Sequence, residues 1–359
     1  MATRERGFRA KLVATCLVAC TVLFARPSDA AEDSLFVSKR ITPPGEYTAG
    51  IEGPAVDASG NLYVVNFKQS GNIGKVAPGA SQSELFTSLP AGSIGNGIRF
   101  DRQGRMYIAD FVKHKNNVWV IERGETTPRV YFHSDRFNQP NDLAIAADGT
   151  LYASDPHFAS PAGGQIWRIT RGPDGNGRGE VMSSTRRLGV TNGIDLSPDG
   201  ATLYVSESNS RQVWSYRLDG NKLLDPRLVR TFADFEVDGL RTDVDGRIYL
   251  ARLSAGKIAI IAANGSLERE VPLRGKQPTN LTFGGPDGRT VFVTQKEGRF
   301  HRSVPCQPSR PGTVLANARH VLKRAEPLCS TASARPAGNS ESQRSHIHYT
   351  VQRTLHWTT

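Results

Sequence analysis

The sequence predicts an all-β fold: a six-bladed β-propeller with a divergent C-terminal tail. Three observations predict it. Glycines at 60, 104, 149, 200, 246 and 288 mark a repeat with spacings of 44, 45, 51, 46 and 42 residues. A polar residue stands eight positions before each: Glu52, Asn96, Asn141, Asn192, Asp238 and Asn280. Half-apolar strands flank each turn, as in EGPAVDASGNLYVV, NDLAIAADGTLYAS and DGLRTDVDGRIYLA. Periods of this length mean stacked units, and strand alternation with Asp-Gly turns selects propeller blades over helical arrays.

If the innermost strand of each blade starts at the marked residue, six such strands place those side chains as a ring at one end of a central channel. The second strand returns to that end, where Asn66, Asp110, Asp155, Glu207, Arg252 and Gln295 would form a second polar shell. The third strands read NIGKVAP, NVWVIERG, QIWRITRG, QVWSYRLDG and KIAIIAANG, apolar continuously or by alternation. The sixth copy breaks off near Phe300. Residues 301–359 hold five of the eight histidines, no Asp and no Phe. They are expected to be a disordered appendage or an out-of-frame stretch, and the abrupt change inside a blade favours the latter. The segment 34–42, SLFVSKRIT, suits an outer strand that helps the last blade close.

The first 30 residues pair a basic start (Arg4, Arg6, Arg9, Lys11) with an apolar run over 12–25 and a Ser28-Asp29-Ala30 cleavage pattern. The expected organisation is a signal peptide over 1–30, a propeller over 31–300 and the tail over 301–359. The expected compartment is the periplasm or outside the cell, with no integral membrane span in the mature chain. Lipidation at Cys20 is a weaker alternative, because apolar residues continue beyond it. The only cysteines past the signal are Cys306 and Cys329, so the repeats carry no thiolate.

The net charge of +11 is concentrated at the ends: +3 in residues 1–30 and +6 in 301–359, leaving +2 for 31–300. A nearly neutral core argues against a nucleic-acid partner and for a small-molecule substrate. Composition leaves the oligomeric state open.

A ring of two carboxylates and several carboxamide oxygens is a hard-oxygen environment. Glu52 and Asp238 would balance a divalent cation while Asn141 and Asn192 donate neutral oxygens. Such a set suits Ca²⁺ or Mg²⁺ better than metals that prefer imidazole or thiolate, with Zn²⁺ as a further alternative. The competing reading is that these residues cap strand starts. Asn96 and Asn280 stand closest to it.

The segments GIEGPAVDASGNLYVVN, QPNDLAIAADGTLYASDP, TNGIDLSPDGATLYVSES and VDGLRTDVDGRIYLAR resemble the senescence-marker-protein/gluconolactonase family, also called regucalcin-like. The likeness runs over roughly residues 45–298. It implies a six-bladed propeller with one divalent cation in its channel, and lactonase or related esterase activity. It implies Glu52, Asn192 and Asp238 as metal ligands, Asn141 as a contact to metal or substrate, and Asp142 as a neighbour that orients the site. Asn96 falls where members differ. His157, in the loop after Asp155, is a candidate substrate contact or an ordinary exposed histidine.

The expected function is therefore a metal-dependent hydrolase of lactones or related esters. Asp238 would be the catalytic base or nucleophile, and Asn96, Asn141, Asp142 and His157 would contact substrate. No G-x-S-x-G or H-E-x-x-H motif competes. The alternative is a non-catalytic propeller binding calcium or a small ligand. A strictosidine-synthase-like enzyme is a third option that the acid–amide pattern disfavours.

Overall fold

The computed structural model describes residues 35–112, 115–160, 162–297 and 300–305. The signal segment and residues 306–359 lie outside the described residues. Every regular element among the described residues is a strand, and the arrangement is propeller-like.

Six antiparallel meanders follow one another in the chain. Their first two strands are Tyr47–Val56 and Leu62–Phe67, Gly95–Phe100 and Met106–Asp110, Leu143–Ile145 and Leu151–Asp155, Thr191–Leu196 and Thr202–Glu207, Leu240–Thr242 and Ile248–Arg252, and Pro278–Gly284 and Thr290–Gln295. The first strands of consecutive sheets lie against one another, and that of the sixth sheet lies against that of the first.

The turn glycines take the left-handed conformation that favours glycine, with φ of 84° at Gly60, 82° at Gly104 and 83° at Gly246. Asp57 holds its turn by accepting from the Ser59 and Asn61 amides, both at 2.9 Å. Asp101 and Asp243 repeat the device. The recurrent tyrosine of the second strand bonds back to that aspartate in two sheets: Tyr63 Oη donates to Asp57 and Tyr107 Oη to Asp101, each at 3.1 Å.

The core lies between sheets. One cluster joins Val65 and Ile73 of the first sheet to Ile98 and Ile108 of the second, and another joins Val120 and Tyr131 of the second to Leu143 and Trp167 of the third. The series continues around, and Phe292 of the sixth sheet packs on the cluster of Tyr47, Ile51 and Val64 in the first. Burying a side chain of this size contributes about 1.5–3 kcal/mol, so the inter-sheet faces carry the stability.

The boundary expected at residue 300 needs correction. Phe300–Pro305 is a strand paired with Thr290–Gln295, so the sixth sheet has its third strand despite the change in composition. Lys39–Arg40 pairs antiparallel with it, Lys39 opposite Ser303 and Arg40 opposite Arg302. The N-terminal segment thus supplies the outermost strand of the sheet that ends the chain's repeats, as its pattern suggested.

The second polar shell is also corrected. Asp110, Asp155 and Glu207 are buried and accept from backbone amides of the segment entering their own sheet: Ile94 at 3.1 Å, Gln139 at 2.7 Å and Gly189 at 2.8 Å respectively. Trp119 and Trp167 Nε1 donate to Asp110 and Asp155. Asn66 donates instead to the Gly50 carbonyl at 2.6 Å and accepts from Gly71 N in the turn after its strand at 3.1 Å. Arg252 reverses the polarity, donating to the Asp234 carbonyl at 2.7 Å and its carboxylate at 2.6 Å. Gln295 is buried, and neither of its amide atoms has a partner among the described residues. Pro278, which pairs with it, has no N–H to offer. All of these residues but Gln295 latch loops to strands.

Candidate active site

Glu52 sits where the register of the first two strands is interrupted on both sides, between Tyr47 and Glu52 and between Glu52 and Ala55. Comparable irregularities occur at Gly95/Ile98, Thr191/Ile194 and Pro278/Leu281. Such bulges re-aim side chains and recur beside functional sites. Gly53 follows with φ 55°, and a Cβ there would fall 1.7 Å from the Asn96 carbonyl. The inner strands approach so closely at this level that only glycine fits.

Adjacent inner strands meet through a repeated contact. Gly97 N donates to Asn141 O and Gly239 N to Thr279 O, both at 2.8 Å. In the sixth sheet it is therefore Thr279, not Asn280, that occupies the ring level. Asn280 lies one residue deeper, level with Asp142: the Asn280 amide donates to Thr294 Oγ1 as the Asp142 amide donates to Ser154 Oγ, each at 3.0 Å. The six polar residues are not all in register.

Glu52, Asn141, Asn192 and Asp238 remain at the ring. Asn192 Nδ2 donates to Ser208 Oγ at 3.0 Å, and its side chain also bonds Asp238. Glu52 accepts from Gly53 N at 3.1 Å and bonds Asn280. Asn96 Nδ2 donates to the Asn141 carbonyl at 3.1 Å, a bond that caps the neighbouring strand.

Asp142 is corrected from a substrate contact to the centre of a closed network. It is fully buried, accepts from Arg241 at 2.8 Å and Arg99 at 3.2 Å, and receives Asn280 Nδ2 at 3.3 Å. Burial alone would raise its pKa, but Arg241 and then Arg99 outweigh that and hold it below the ordinary carboxylate value. A Cβ on Gly97 would reach 2.5 Å from Asp142 Oδ1, and one on Gly239 would reach 2.2 Å from the Asn280 side chain. The glycines make room for this floor beneath the ring.

The two ring acids have less relief: Arg241 lowers Glu52 only as the least of its influences. Neither Glu52 nor Asp238 forms an ion pair among the described residues. Burial, then the charge of Asp142, pushes Glu52 up to about 7. Burial, then the charge of Glu52, raises Asp238 well above the usual range. Glu52 retains some exposed surface, while Asp238 is buried. No group of three or more His, Cys, Asp or Glu side chains among the described residues is placed to hold a metal. Any cation here would rest on two acids and neutral amides.

His157 is half-buried in the loop over residues 156–164, and its Nδ1 is buried without a partner among the described residues.

Sequence reasoning missed Thr279, Arg99 and Arg241. A signal for the arginines was available: both stand three residues after a ring position, facing a recurrent tyrosine, as Ala55 and Asp195 do.

Known proteins share the fold. The chain is 27% identical over 275 residues to a gluconolactonase of Zymomonas mobilis subsp. mobilis, covering 68% of this chain and 75% of that protein. It is 32% identical over 171 residues to a 6-deoxy-6-sulfogluconolactonase of Pseudomonas putida, spanning 46% of this chain and only 56% of that protein. The solved structure of a gluconolactonase from Xanthomonas campestris superposes with a TM-score of 0.62 at 22% identity, covering 77% of this chain and 93% of that one. The family model described as the SMP-30/gluconolactonase/LRE-like region matches residues 51–297, and the chain belongs to that family.

Proposed function

We propose that the six sheets are the blades of one closed propeller and that its channel hydrolyses lactones or related esters with a divalent cation, Ca²⁺ before Mg²⁺ or Zn²⁺. The observation that carries this reading is the contrast among three acids: Asp142 is fully buried and ion-paired with two arginines, while half-buried Glu52 and buried Asp238 stand at one end of the channel with no ion pair among the described residues. Two enclosed carboxylates without an ion-pair partner are costly, and a bound cation is the usual remedy. Family membership and the named activities of the relatives support the reaction class.

Glu52 and Asp238 would hold the cation, with Asn192 and Asn141 supplying amide oxygens. When bound, the cation polarises an ester carbonyl and lowers the pKa of water. Asp238 accepts the proton of the attacking water at its carboxylate. Asn192 and Ser208 fix the orientation of that carboxylate. Asn96 and His157 are proposed to face the substrate. Export to the periplasm or beyond, by cleavage after Ala30, is proposed on the N-terminal pattern.

The test is turnover of a lactone panel followed by a pH indicator. Activity should vanish on chelation, return with Ca²⁺ and fall by roughly 10²-fold or more in Asp238→Asn. Chelator-resistant turnover would remove the metal from the mechanism.

A further inference from the structure

In all but the sixth sheet, a polar residue at the end of the second strand bonds the backbone that leads to the marked residue of the first. Asn66, Asp110, Asp155 and Glu207 hold it two or three residues before Glu52, Asn96, Asn141 and Asn192. In the sixth sheet, where Thr279 occupies the ring level, Gln295 makes no such bond among the described residues. The polarity of the hold follows the residue it serves. Ahead of the amides it is a carboxylate accepting a backbone N–H; ahead of Glu52 and Asp238 it is a side chain donating to a backbone carbonyl.

The fifth sheet relies on this hold most. Residues 233–236 are exposed and lead straight into buried Val237 and Asp238. Among the described residues, only Arg252 bonds this run, donating to Asp234 O at 2.7 Å and Asp234 Oδ1 at 2.6 Å. Phe235 takes a φ of 47°, which a bulky residue keeps only where its surroundings impose it. Arg252 is itself fixed: it is buried, its guanidinium lies 3.7 Å from the centre of the Phe232 ring, and Glu270 accepts from it at 3.0 Å. Its neighbour Ala251 accepts from Asp238 N at 3.0 Å and donates to Gly239 O at 2.9 Å. Consecutive residues of one strand thus grip the chain at Asp238 and four residues ahead of it.

We infer that Arg252, acting through Asp234, is a positioning residue that sets where the Asp238 carboxylate stands at the ring. The proposal rests on the cation and hydrolase reading above. Held by Ala251 alone, Asp238 would follow an exposed run with no other anchor; the two bonds to Asp234 remove that freedom. The precision matters because a ligand carboxylate displaced by about 1 Å loses both its grip on a cation and its line to a reacting water. The reversed polarity also fits. A carboxylate in the place of Arg252 would add a buried negative charge one residue from Ala251, the strand partner of a ring acid that has no ion pair among the described residues.

The experiment titrates the full protein with Ca²⁺ in a calorimeter and repeats it with Asp234→Ala, Arg252→Met and a control, Asp225→Ala. The control removes an exposed ion pair to Arg217 between outer strands of the fourth sheet. Asp234 is exposed, so Asp234→Ala keeps the fold and the test does not depend on the folding of Arg252→Met. Ca²⁺ affinity should fall roughly tenfold or more in Arg252→Met and roughly threefold or more in Asp234→Ala, and stay at the parent's value in the control. On any lactone the parent opens, the two variants should lose kcat with KM little moved. Hydrogen exchange of the Ca²⁺-free proteins gives a reading independent of cation and reaction: amides of residues 233–239 should exchange faster in both variants, while those of 189–194 keep the parental rate. Parental Ca²⁺ affinity in Asp234→Ala, whatever its Tm, overturns the proposal, as does parental exchange over 233–239. If the parent binds no Ca²⁺ and opens no lactone but exchange over 233–239 rises, the hold on Asp238 stands and the cation and hydrolase readings fall.

Discussion

Glu52→Gln should stabilise the fold while destroying its cation site. Glu52 moves from 4.5 to about 7 in the folded chain, because burial and the charge of Asp142 oppose its ionisation. At about 1.36 kcal/mol per pKa unit, ionised Glu52 costs the cation-free protein about 3 kcal/mol above pH 8. The sign follows from the raised pKa: the penalty is small near pH 5, where the group stays protonated when folded, and grows as pH rises through 7. Glutamine keeps the shape and an oxygen for Gly53 N but never ionises. In chelator at pH 8 the variant should therefore gain about 2–3 kcal/mol, a rise in Tm of roughly 4–9 °C for a domain of this size. At pH 5 the gain should fall to about 1 kcal/mol or less. Thermal unfolding followed by circular dichroism reads both. Added Ca²⁺ should then raise the Tm of the parent protein and leave the variant unmoved. A variant less stable than its parent at pH 8 in chelator, or one that Ca²⁺ stabilises equally, would refute the argument.

Three further outcomes follow from the same geometry. Asp142→Asn should cost about 3–5 kcal/mol in denaturant unfolding, because Arg99 and Arg241 would remain buried with the charge of their shared ion-pair partner gone; a loss under about 1 kcal/mol would show the network to be ornamental. Gly239→Ala should lose about 1–3 kcal/mol, since its Cβ would fall 2.2 Å from Asn280, whereas Gly220→Ala, with nothing within 4 Å, pays only for its φ of 57°. Removing residues 35–41 should release the outer strand of the sixth sheet and speed proteolysis near residue 305, an outcome read by mass spectrometry of timed digests.

The architecture was legible because its signals are local. An Asp-Gly turn needs glycine for its left-handed φ, so the turn glycines mark the repeat whatever the flanking strands contain. Register was legible only where the hairpins are alike. Asn192 and Asn280 each stand eight residues before a turn glycine, yet Asp195, three past Asn192, faces Tyr204, while Thr282, two past Asn280, faces Phe292. A change in the turn shifted the strand by one residue, and spacing along the chain does not reveal pairing across it. The strand Phe300–Pro305 was hidden for a related reason. Held by backbone bonds to Thr290–Gln295 on one side and Lys39–Arg40 on the other, it needs no apolar alternation of its own. At the site, the residue types Glu, Asn and Asp were enough to suggest a cation. The partition into two unpaired acids and one neutralised acid depends on Arg99 and Arg241, which are brought to Asp142 from 43 and 99 residues away.

The most direct test of the account is the position of the cation in crystals grown with Ca²⁺ or with Mn²⁺ for its anomalous signal. The account predicts one ion at the ring end of the channel, bonded to oxygens of both Glu52 and Asp238 at about 2.3–2.6 Å for Ca²⁺. An ion bound elsewhere with the two carboxylates left bare, or a channel that holds none at saturating Ca²⁺, would contradict it.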